Sequence, residues 1–388
     1  MKRSVFMMAA LLAVAAPALS AQTPPVQTCS LGTLQLESGE AIPDFRMTYI
    51  AHGTLNEQRD NAILSLHGLR GTRETQSVWA GPGRAFDTHT YFVIQPDTLG
   101  VASLDPDATT SPSRSGLKMR FPRFTIRDMV QAEHRLLTEC LKITRLVAVF
   151  GTSMGGIESL QWAVTYRHFM DAVIAALPQA RANKQSVYIW EAARRVIMLD
   201  PDWQHGEYEP DRRPLLGTAY GLNIQSAFGL SAPRFEEQYP TREAVVASYD
   251  AQAASATNTD ARDWMYRTGA MDQHDISSGP PFSGDLAAAA RSIRARTLLF
   301  PNCFDQLLPP RESGVYELGK FIPAAKVVNL NDREGHGAAV NQQALITREV
   351  RDLLGRIASG RPGIRGPRFP DSGDGGDFCS GGPPQPSR

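Results

Sequence analysis

Short runs of apolar residues recur along most of the chain, and most are followed by a segment with helical spacing. Six runs stand out: Ala62–Leu66, Tyr91–Ile94, Leu146–Phe150, Asp171–Ala176, Thr297–Phe300 and Lys326–Leu330. The run at Leu146–Phe150 (LVAVF) is apolar throughout, as expected of a strand that is buried on both faces of a parallel sheet. Strands that alternate with helices predict an α/β protein, with a mostly parallel central sheet and helices on both faces.

One long segment interrupts this alternation. Residues 181–290 contain much of the tryptophan and tyrosine but no strand pattern, and strand patterns resume after them. We interpret this segment as a mainly helical lid insertion over the carboxyl edge of the sheet, with a second independent domain as the alternative. The core is then formed by residues 22–180 and 291–358. Within it, Thr125–Asp128 (TIRD) has the S/T-x-x-D/E pattern of a helix start.

The two ends of the chain differ from the rest. Lys2 and Arg3 precede a short apolar run that ends at Pro17, and small residues follow, which is the pattern of a cleaved signal peptide over residues 1–21. The run is shorter than the roughly 20 residues of a membrane-spanning helix, so no stable membrane anchor is expected. Residues 359–388 are rich in Gly, Pro, Ser and Asp, which predicts a disordered tail. We therefore expect a periplasmic or secreted protein.

The charge balance limits the classes of partner. The chain has 40 basic and 40 acidic residues, so its formal net charge is zero. Binding to nucleic-acid backbones or to anionic lipids needs a surplus of Lys and Arg, so neither partner is expected. The sequence has no C-x-x-C pair and no His/Cys cluster with zinc spacing, so we expect neither a metal nor another cofactor. Small molecules remain, namely an ester or another acyl donor.

Four cysteines, Cys29, Cys140, Cys303 and Cys379, would meet oxidising conditions in an exported protein. Cys29 and Cys379 lie outside the segments assigned to the core and could join the two ends of the chain. The alternative is two free thiols on the terminal segments, and sequence alone does not fix the connectivity. Cys140 falls in a predicted helix, where it is expected to be a small buried apolar residue.

The candidate chemistry centres on Gly151–Gly155 (GTSMG), which has the G-x-S-x-G form. A serine on a sharp turn between a strand and a helix is held in a strained conformation, and its flanking glycines remove side chains that would clash there. A strand pattern precedes the motif and a helical pattern follows it, which is the required setting; an ordinary tight turn is the alternative. We predict that Ser153 is a nucleophile that forms an acyl intermediate.

A serine hydroxyl needs an adjacent base, and the chain has eight histidines. His336 lies in a loop just after the last predicted strand, where the chain order Ser, Asp, His of such sites places the base. Asp305 follows the strand at Thr297–Phe300, so we predict that it orients His336; a loop cap is the alternative role. Asp332 and Glu334 are too near His336 in sequence to reach its far ring nitrogen easily.

The negative charge that develops on the substrate oxygen needs hydrogen-bond donors. His67-Gly68-Leu69 directly follows the strand at Ala62–Leu66, which is the usual place of the second donor loop. We predict that the backbone N–H groups of Leu69 and Met154 form this oxyanion hole. His67 itself is expected to be a structural loop histidine, since its strand comes too early in the order to carry the base.

Several motifs resemble those of the homoserine O-acetyltransferase family, whose members have the α/β-hydrolase fold. The matching runs include YIAHGTLN at Tyr49–Asn56, FTIRDMV within Phe121–Val130, GTSMGGIESLQWA at Gly151–Ala163 and DQLLPP at Asp305–Pro310. The resemblance implies that Ser153, Asp305 and His336 form a catalytic triad and that the insertion is a helical lid over a deep tunnel. Family members are often dimers, so it also allows a homodimer.

The chain departs from the family pattern at substrate-facing positions. Family transferases usually carry Gly-His-Asp at the base, with the aspartate thought to hold the substrate's amino group, and here the third position is Gly337. The lid arginine that would hold the substrate's carboxylate has no clear match near Gly221–Gly229. The resulting hypothesis is a secreted serine hydrolase that cleaves a carboxylic ester. The alternatives are a homoserine O-acetyltransferase-like O-acyltransferase that uses an acyl-CoA donor, and an inactive fold used for binding.

Overall fold

The computed structural model describes residues 24–101 and 103–360, without the side chains of residues 252–255. The described strands form one eight-stranded sheet in the order β1-β2-β4-β3-β5-β6-β7-β8. Their bounds are β1 Gln27–Gln35, β2 Ala41–His52, β3 Ala62–Leu66, β4 Phe92–Pro96, β5 Leu146–Thr152, β6 Met170–Ala176, β7 Arg296–Phe300 and β8 Ala325–Val327. From β4 to β8 across the sheet, all neighbouring strands are parallel. The predicted fold class, a mostly parallel sheet of the α/β type, is confirmed.

The two strands that the apolar runs did not reveal are β1 and β2. They pair with each other antiparallel, and β2 also runs antiparallel to β4. Buried and exposed residues are interspersed along β1, with Cys29, Leu31 and Leu34 inside. A strand at the edge of a sheet with one face in solvent has no continuous apolar run, so a search for such runs misses it.

Helices cover both faces of the sheet. Their bounds are α1 Ile126–Arg135, α2 Met154–Thr165, α3 Lys184–Met198, α4 Leu215–Gly229, α5 Ala232–Gln238, α6 Arg242–Ala256, α7 Ala261–Asp272, α8 Leu286–Ser292, α9 Val315–Phe321, α10 Ala338–Asn341 and α11 Gln343–Ala358. Consecutive residues of β5 point to opposite faces of the sheet. Val149 packs in the hydrophobic core that includes residues of α1 and α2, and Phe150 packs in the core that includes residues of α11. Thr125 caps the start of helix α1, and the side chains of Thr125 and Asp128 each accept the other's backbone N–H.

Between β6 and β7 the described chain forms α3 to α8. Trp190 of α3 and Trp264 of α7 pack edge to face, with ring centroids 6.0 Å apart, so these rings build the interior of the insertion. The chain enters and returns side by side, because Arg181 and Asp275 form an antiparallel bridge. No helix among the described residues has both the length and the apolar character needed to cross a membrane.

The structure corrects the cysteine predictions. Cys29 of β1 forms a disulfide with Cys140, and their Cα atoms are 6.2 Å apart. Pairing of Cys29 with Cys379 is therefore wrong, and so is Cys140 as a small buried thiol; Cys379 itself lies outside the described residues. The cause is the packing of the helical turn Leu136–Cys140, which continues α1, against β1; at its start the Arg135 guanidinium donates to the backbone oxygens of Leu31 and Thr33. This contact brings the end of the helix beside Cys29.

Candidate active site

Ser153 occupies the turn between β5 and α2, at the carboxyl edge of the sheet. Its backbone has φ 58° and ψ −121°, a left-handed conformation that a residue with a side chain adopts only when its surroundings enforce it. The Ser153 N–H donates to the Ala176 oxygen of the neighbouring strand at 2.9 Å, which anchors the turn. The side chain is half-buried and lines a cavity. Strand, turn and helix thus present one hydroxyl at the sheet edge.

The two motif glycines are required by close backbone packing. A Cβ on Gly151 would lie 2.0 Å from the Gly155 oxygen, and a Cβ on Gly155 would lie 2.2 Å from the Leu66 oxygen. Both distances are far inside van der Waals contact, so no other residue fits without moving the backbone. The second contact also seats the turn directly on the end of β3, where the loop with Leu69 begins.

The structure brings Ser153, His336 and Asp305 together although they are far apart in sequence. The Ser153 hydroxyl lies 2.7 Å from His336 Nε2, and His336 Nδ1 lies 2.6 Å from Asp305 Oδ2. With the Nδ1–H donating to the carboxylate, Nε2 is free to accept the serine proton. The Asp305 side chain is 1% exposed and that of His336 is 14% exposed, so the pair is shielded from water while the imidazole still reaches the cavity.

Asp305 and His336 are held by their own loops. Asp305 Oδ1 accepts the backbone N–H groups of Leu307 and Leu308, each at 2.9 Å, which leaves Oδ2 for the histidine. Asn302, just after β7, donates its amide to the backbone oxygens of Asp332 and Gly335. It therefore ties the end of β7 to the loop that carries His336. Asn302 is not among the residues predicted from the sequence, and its position three residues before Asp305 is the signal that points to it.

Leu69 and Met154, the predicted oxyanion donors, lie on either side of the nucleophile. Neither backbone N–H has an acceptor within the described chain, so both are available. The loop passes close to the serine, since a Cβ on Gly68 would lie 3.2 Å from Ser153 Cβ. Asp332 and Glu334, which lie too near His336 in sequence to orient it, accept hydrogen bonds from Gln342 and Arg234, respectively.

His67 holds the loop that carries Leu69. The Thr98 N–H donates to His67 Nε2 at 3.2 Å, which makes Nδ1 the protonated nitrogen, and it donates to the Gly68 oxygen at 2.8 Å. Burial, and then the positive charge of nearby Arg267, lower the pKa of His67 to about 3. The imidazole is therefore neutral at physiological pH and positions the loop rather than moving protons, as its place in the sequence suggested.

A cavity of about 490 Å³ lies above Ser153 and His336. It reaches the surface at Val78 and Val340, which are 47% and 76% exposed. Apolar side chains form much of its wall, and within the described chain that wall contains no carboxylate. The described residues also contain no group of three or more His, Cys, Asp or Glu that could hold a metal ion. The arrangement can receive an uncharged acyl group beside an activated hydroxyl.

The chain is similar in sequence and in structure to α/β-hydrolase-fold enzymes. The family model described as alpha/beta hydrolase fold matches residues 61–336. The homoserine O-acetyltransferase of Nostoc punctiforme is 32% identical over 326 residues, covering 80% of this chain and 91% of the relative. Among solved structures, the homoserine O-acetyltransferase of Bacillus anthracis has a TM-score of 0.79 at 28% identity, covering 86% of this chain and 98% of that one. An acetylester hydrolase from Corynebacterium glutamicum has a TM-score of 0.77 at 27% identity, covering 85% and 96%.

Proposed function

We propose that this chain, which belongs to the α/β-hydrolase fold family and to its homoserine O-acetyltransferase-like branch, moves acyl groups through a covalent ester on Ser153. The observation that supports this most directly is the continuous hydrogen-bonded chain from the Ser153 hydroxyl through His336 to Asp305. In the first step the hydroxyl attacks the acyl carbonyl carbon while His336 Nε2 takes its proton. The proton then passes to the leaving group, and the acyl–oxygen ester on Ser153 remains.

The carbonyl oxygen becomes negatively charged as Ser153 attacks. The free N–H groups of Leu69 and Met154 donate to it, and Met154 is the first residue of α2, where the helix dipole adds positive potential. A second nucleophile, activated by His336, then releases the acyl group by the same steps in reverse order. This second nucleophile decides whether the enzyme is a transferase or a hydrolase.

The relatives favour transfer to an alcohol. Those compared in sequence are homoserine O-acetyltransferases, and the chain covers most of their length. If this chain acts as these relatives do, its acyl acceptor is an alcohol and its donor is an acyl thioester or ester.

The cavity supports ester hydrolysis as a second candidate. A homoserine acceptor carries an ammonium group, and the described cavity wall has no carboxylate to hold it. Gly337 stands where the resemblance places the aspartate for that group, and a Cβ there would lie 2.8 Å from Glu334 Cγ. Water, or an alcohol without an ammonium group, fits this wall better.

One experiment tests the acyl-enzyme and separates the two acceptors. Purified protein is offered acetyl-CoA or p-nitrophenyl butyrate, each with and without homoserine, and products are identified by mass spectrometry. We expect Ser153→Ala to lower kcat on the order of 10⁵- to 10⁶-fold, as loss of a triad nucleophile does. The control is Ser38→Ala, the same change at an exposed turn. O-acetylhomoserine as product establishes transfer and free acid alone establishes hydrolysis, whereas equal rates in Ser153→Ala would end the proposal.

We also propose that the chain is exported through its signal peptide. The Cys29–Cys140 disulfide supports this, because such bonds persist in oxidising compartments. Residues 1–21 lie outside the described structure. The N-terminus of protein recovered from the periplasm or medium should begin near residue 21 or 22, and an uncleaved Met1 on protein confined to the cytoplasm contradicts export. An exported enzyme would take its acyl group from a donor other than acetyl-CoA. The homodimer stays a prediction, to be checked by light scattering.

A further inference from the structure

Two glutamates are buried against each other between α1 and α2. Glu133 of α1 and Glu158 of α2 are both fully buried, and their carboxyl groups lie within hydrogen-bonding reach of each other. One oxygen of each, Oε1, is fully enclosed and receives no donor from the described chain. Two buried carboxylates in contact repel each other, so one of the pair keeps a proton at neutral pH. That proton supplies a hydrogen bond between the two groups where the described chain offers no other donor.

The surroundings assign the proton to Glu133. Burial, and then the negative charge of Glu158, raise the pKa of Glu133 well above its ordinary value. Burial also raises the pKa of Glu158, but hydrogen bonds from Glu133 and Thr98 oppose that rise, and the positive charge of Arg267 in α7 acts in the same direction as these bonds. The Trp162 indole N–H donates to Glu133 Oε2 at 2.6 Å, a bond that the carbonyl oxygen of a protonated carboxyl group still accepts. The negative charge of the pair therefore lies on Glu158.

A single threonine joins Glu158 to the loop that carries Leu69. The Thr98 hydroxyl donates to Glu158 Oε2 at 2.9 Å, and the Thr98 backbone N–H donates to His67 Nε2 at 3.2 Å. His67 Nδ1 in turn donates to the oxygen of Gly68, the residue before Leu69, at 2.8 Å. An ionised carboxylate accepts a hydroxyl proton more strongly than a neutral carboxyl group does. The charge on Glu158 therefore fixes Thr98, and Thr98 fixes the imidazole that holds the loop.

We propose that Glu133 and Glu158 share one proton, and that the carboxylate left on Glu158 is a positioning group for the oxyanion loop. The inference rests on the proposed acyl chemistry, because it concerns the N–H of Leu69 that stabilises the transition state. Neither glutamate lines the cavity above Ser153, so both act through Thr98. Other charged or titratable groups near the pair are Arg267 of α7, Tyr166 of α2 and, beyond Thr98, His67.

The shared proton is tested on Ser153→Ala protein, so that failure of the proposed chemistry does not affect the result. Infrared difference spectra of this protein with and without Glu133→Gln should show the carbonyl stretch of one protonated carboxyl group at neutral pH, shifted in D₂O and lost in the variant. Glutamine keeps the shape of the side chain and donates an N–H to Glu158, so the variant should fold. Absence of the band overturns the proposal.

Labelling the glutamate carboxyl carbons with ¹³C gives a second measurement that needs no variant at position 133. Burial also raises the pKa of Asp263 well above its ordinary value, so an aspartate band is expected in the same region. Only the band of a protonated glutamate moves when glutamate is labelled. If no such band moves at neutral pH, the proposal is overturned, even where Glu133→Gln does not fold.

The same proton makes the stability of the folded chain depend on pH. Because folding raises the pKa of Glu133 above the ordinary value of 4.5, the folded chain keeps a proton that the unfolded chain releases. Stability is therefore lost as pH rises from the unfolded pKa towards the folded one. Relative to Glu133→Gln, the unfolding equilibrium constant of the Ser153→Ala parent should rise roughly eightfold from pH 5 to pH 6. A ratio that does not change with pH overturns the proposal.

Positioning is tested in active enzyme with Thr98→Val, which removes the hydroxyl and keeps the backbone N–H. We expect kcat on p-nitrophenyl butyrate to fall between about 10- and 100-fold with little change in KM, because a displaced oxyanion donor weakens only the transition state. Thr98→Ser restores the hydroxyl and should recover most of kcat. The control is Thr297→Val at the amino end of β7, since Thr297 and Thr98 are each 2% exposed. This control should keep kcat.

The outcomes separate this inference from the acyl mechanism. An unchanged kcat in Thr98→Val, with Ser153→Ala inactive, overturns the positioning role and leaves the acyl chemistry standing. Equal losses of kcat in Thr98→Val and Thr297→Val would show a general packing effect and also overturn it. A fully active Ser153→Ala would end the acyl mechanism and the positioning role with it, while the infrared and unfolding measurements would still decide whether the proton is shared.

Discussion

The surroundings of Ser153 and of Arg267 differ in how completely their polar groups are satisfied by hydrogen bonds. At the Ser153 cavity, the hydroxyl, both imidazole nitrogens and both Asp305 oxygens have partners. Around Arg267, two nitrogens of its buried guanidinium and the indole N–H of Trp264 have none within the described chain. Completed bonds fix the three side chains in one arrangement, whereas Arg267 is held by packing and by the charges of nearby carboxylates. The three predictions below test this difference, from the largest effect to the smallest.

The largest effect is expected where the bonds are complete. Asp305→Asn can still accept the Leu307 and Leu308 N–H groups, but its amide then faces His336 Nδ1 and favours the tautomer with the proton on Nε2. That nitrogen can no longer take the Ser153 proton, so kcat should fall by about 10⁴-fold, the size of this effect in serine proteases. Stopped-flow ester hydrolysis measures it. Asp332→Asn makes the same change beside the histidine loop and should cost less than about tenfold, since no reacting atom is involved. Similar losses in both variants would contradict the assigned triad.

The next effect is the loss of stability when a methyl group is added at a tightly packed glycine, Gly155, compared with a loosely packed one, Gly269. Gly155→Ala places a methyl group against the Leu66 oxygen and should lower the free energy of unfolding by about 3 kcal/mol, with loss of activity. Gly269→Ala in α7 is the matched control, because a Cβ there meets nothing within 4 Å and alanine favours a helix by up to about 1 kcal/mol. Urea unfolding of both variants gives the comparison. A destabilised Gly269→Ala would show that this part of α7 is as tightly packed as the turn at Ser153.

The smallest effect concerns His67, which positions the loop that carries Leu69. Because the pKa of His67 is lowered to about 3, the unfolded chain binds a proton below about pH 6.5 that the folded chain does not. The wild type therefore loses about 1.4 kcal/mol of stability per pH unit from this group as pH falls from 6.5 towards 3. In His67→Gln this contribution is absent, so the stability difference between wild type and variant should shrink by that amount from pH 6 to pH 5. His89→Gln, at an exposed position, is the control; a constant difference in His67→Gln would contradict the buried neutral imidazole.

The sequence predicts what neighbouring residues determine together. The fully buried strands β3 and β5 are visible as apolar runs, and the glycines around Ser153 identify the turn because strand, turn and helix are contiguous. Chain order then selects Asp305 and His336 among many acids and eight histidines. What remained hidden depends on contacts between distant segments. The pairing of Cys29 with Cys140 follows from the packing of the turn Leu136–Cys140 on β1, and the surroundings of Arg267 depend on Asp97 and Glu158 from two other segments as well as on Asp263 in its own helix. No local pattern encodes either.

The side-by-side entry and exit of the insertion have a practical consequence for protein engineering. Ala182 N–H donates to the His274 oxygen at 2.7 Å and Ile276 N–H to the Ala180 oxygen at 3.0 Å, so two short bonds close the base of a segment of about 90 residues. A segment whose ends already meet can be exchanged without stretching the scaffold beneath it. Chimeras that join the corresponding segment of a relative at these two points would keep the nucleophile in place while exchanging the segment that contributes Gln225 to the cavity wall, so they measure how far that segment sets substrate choice.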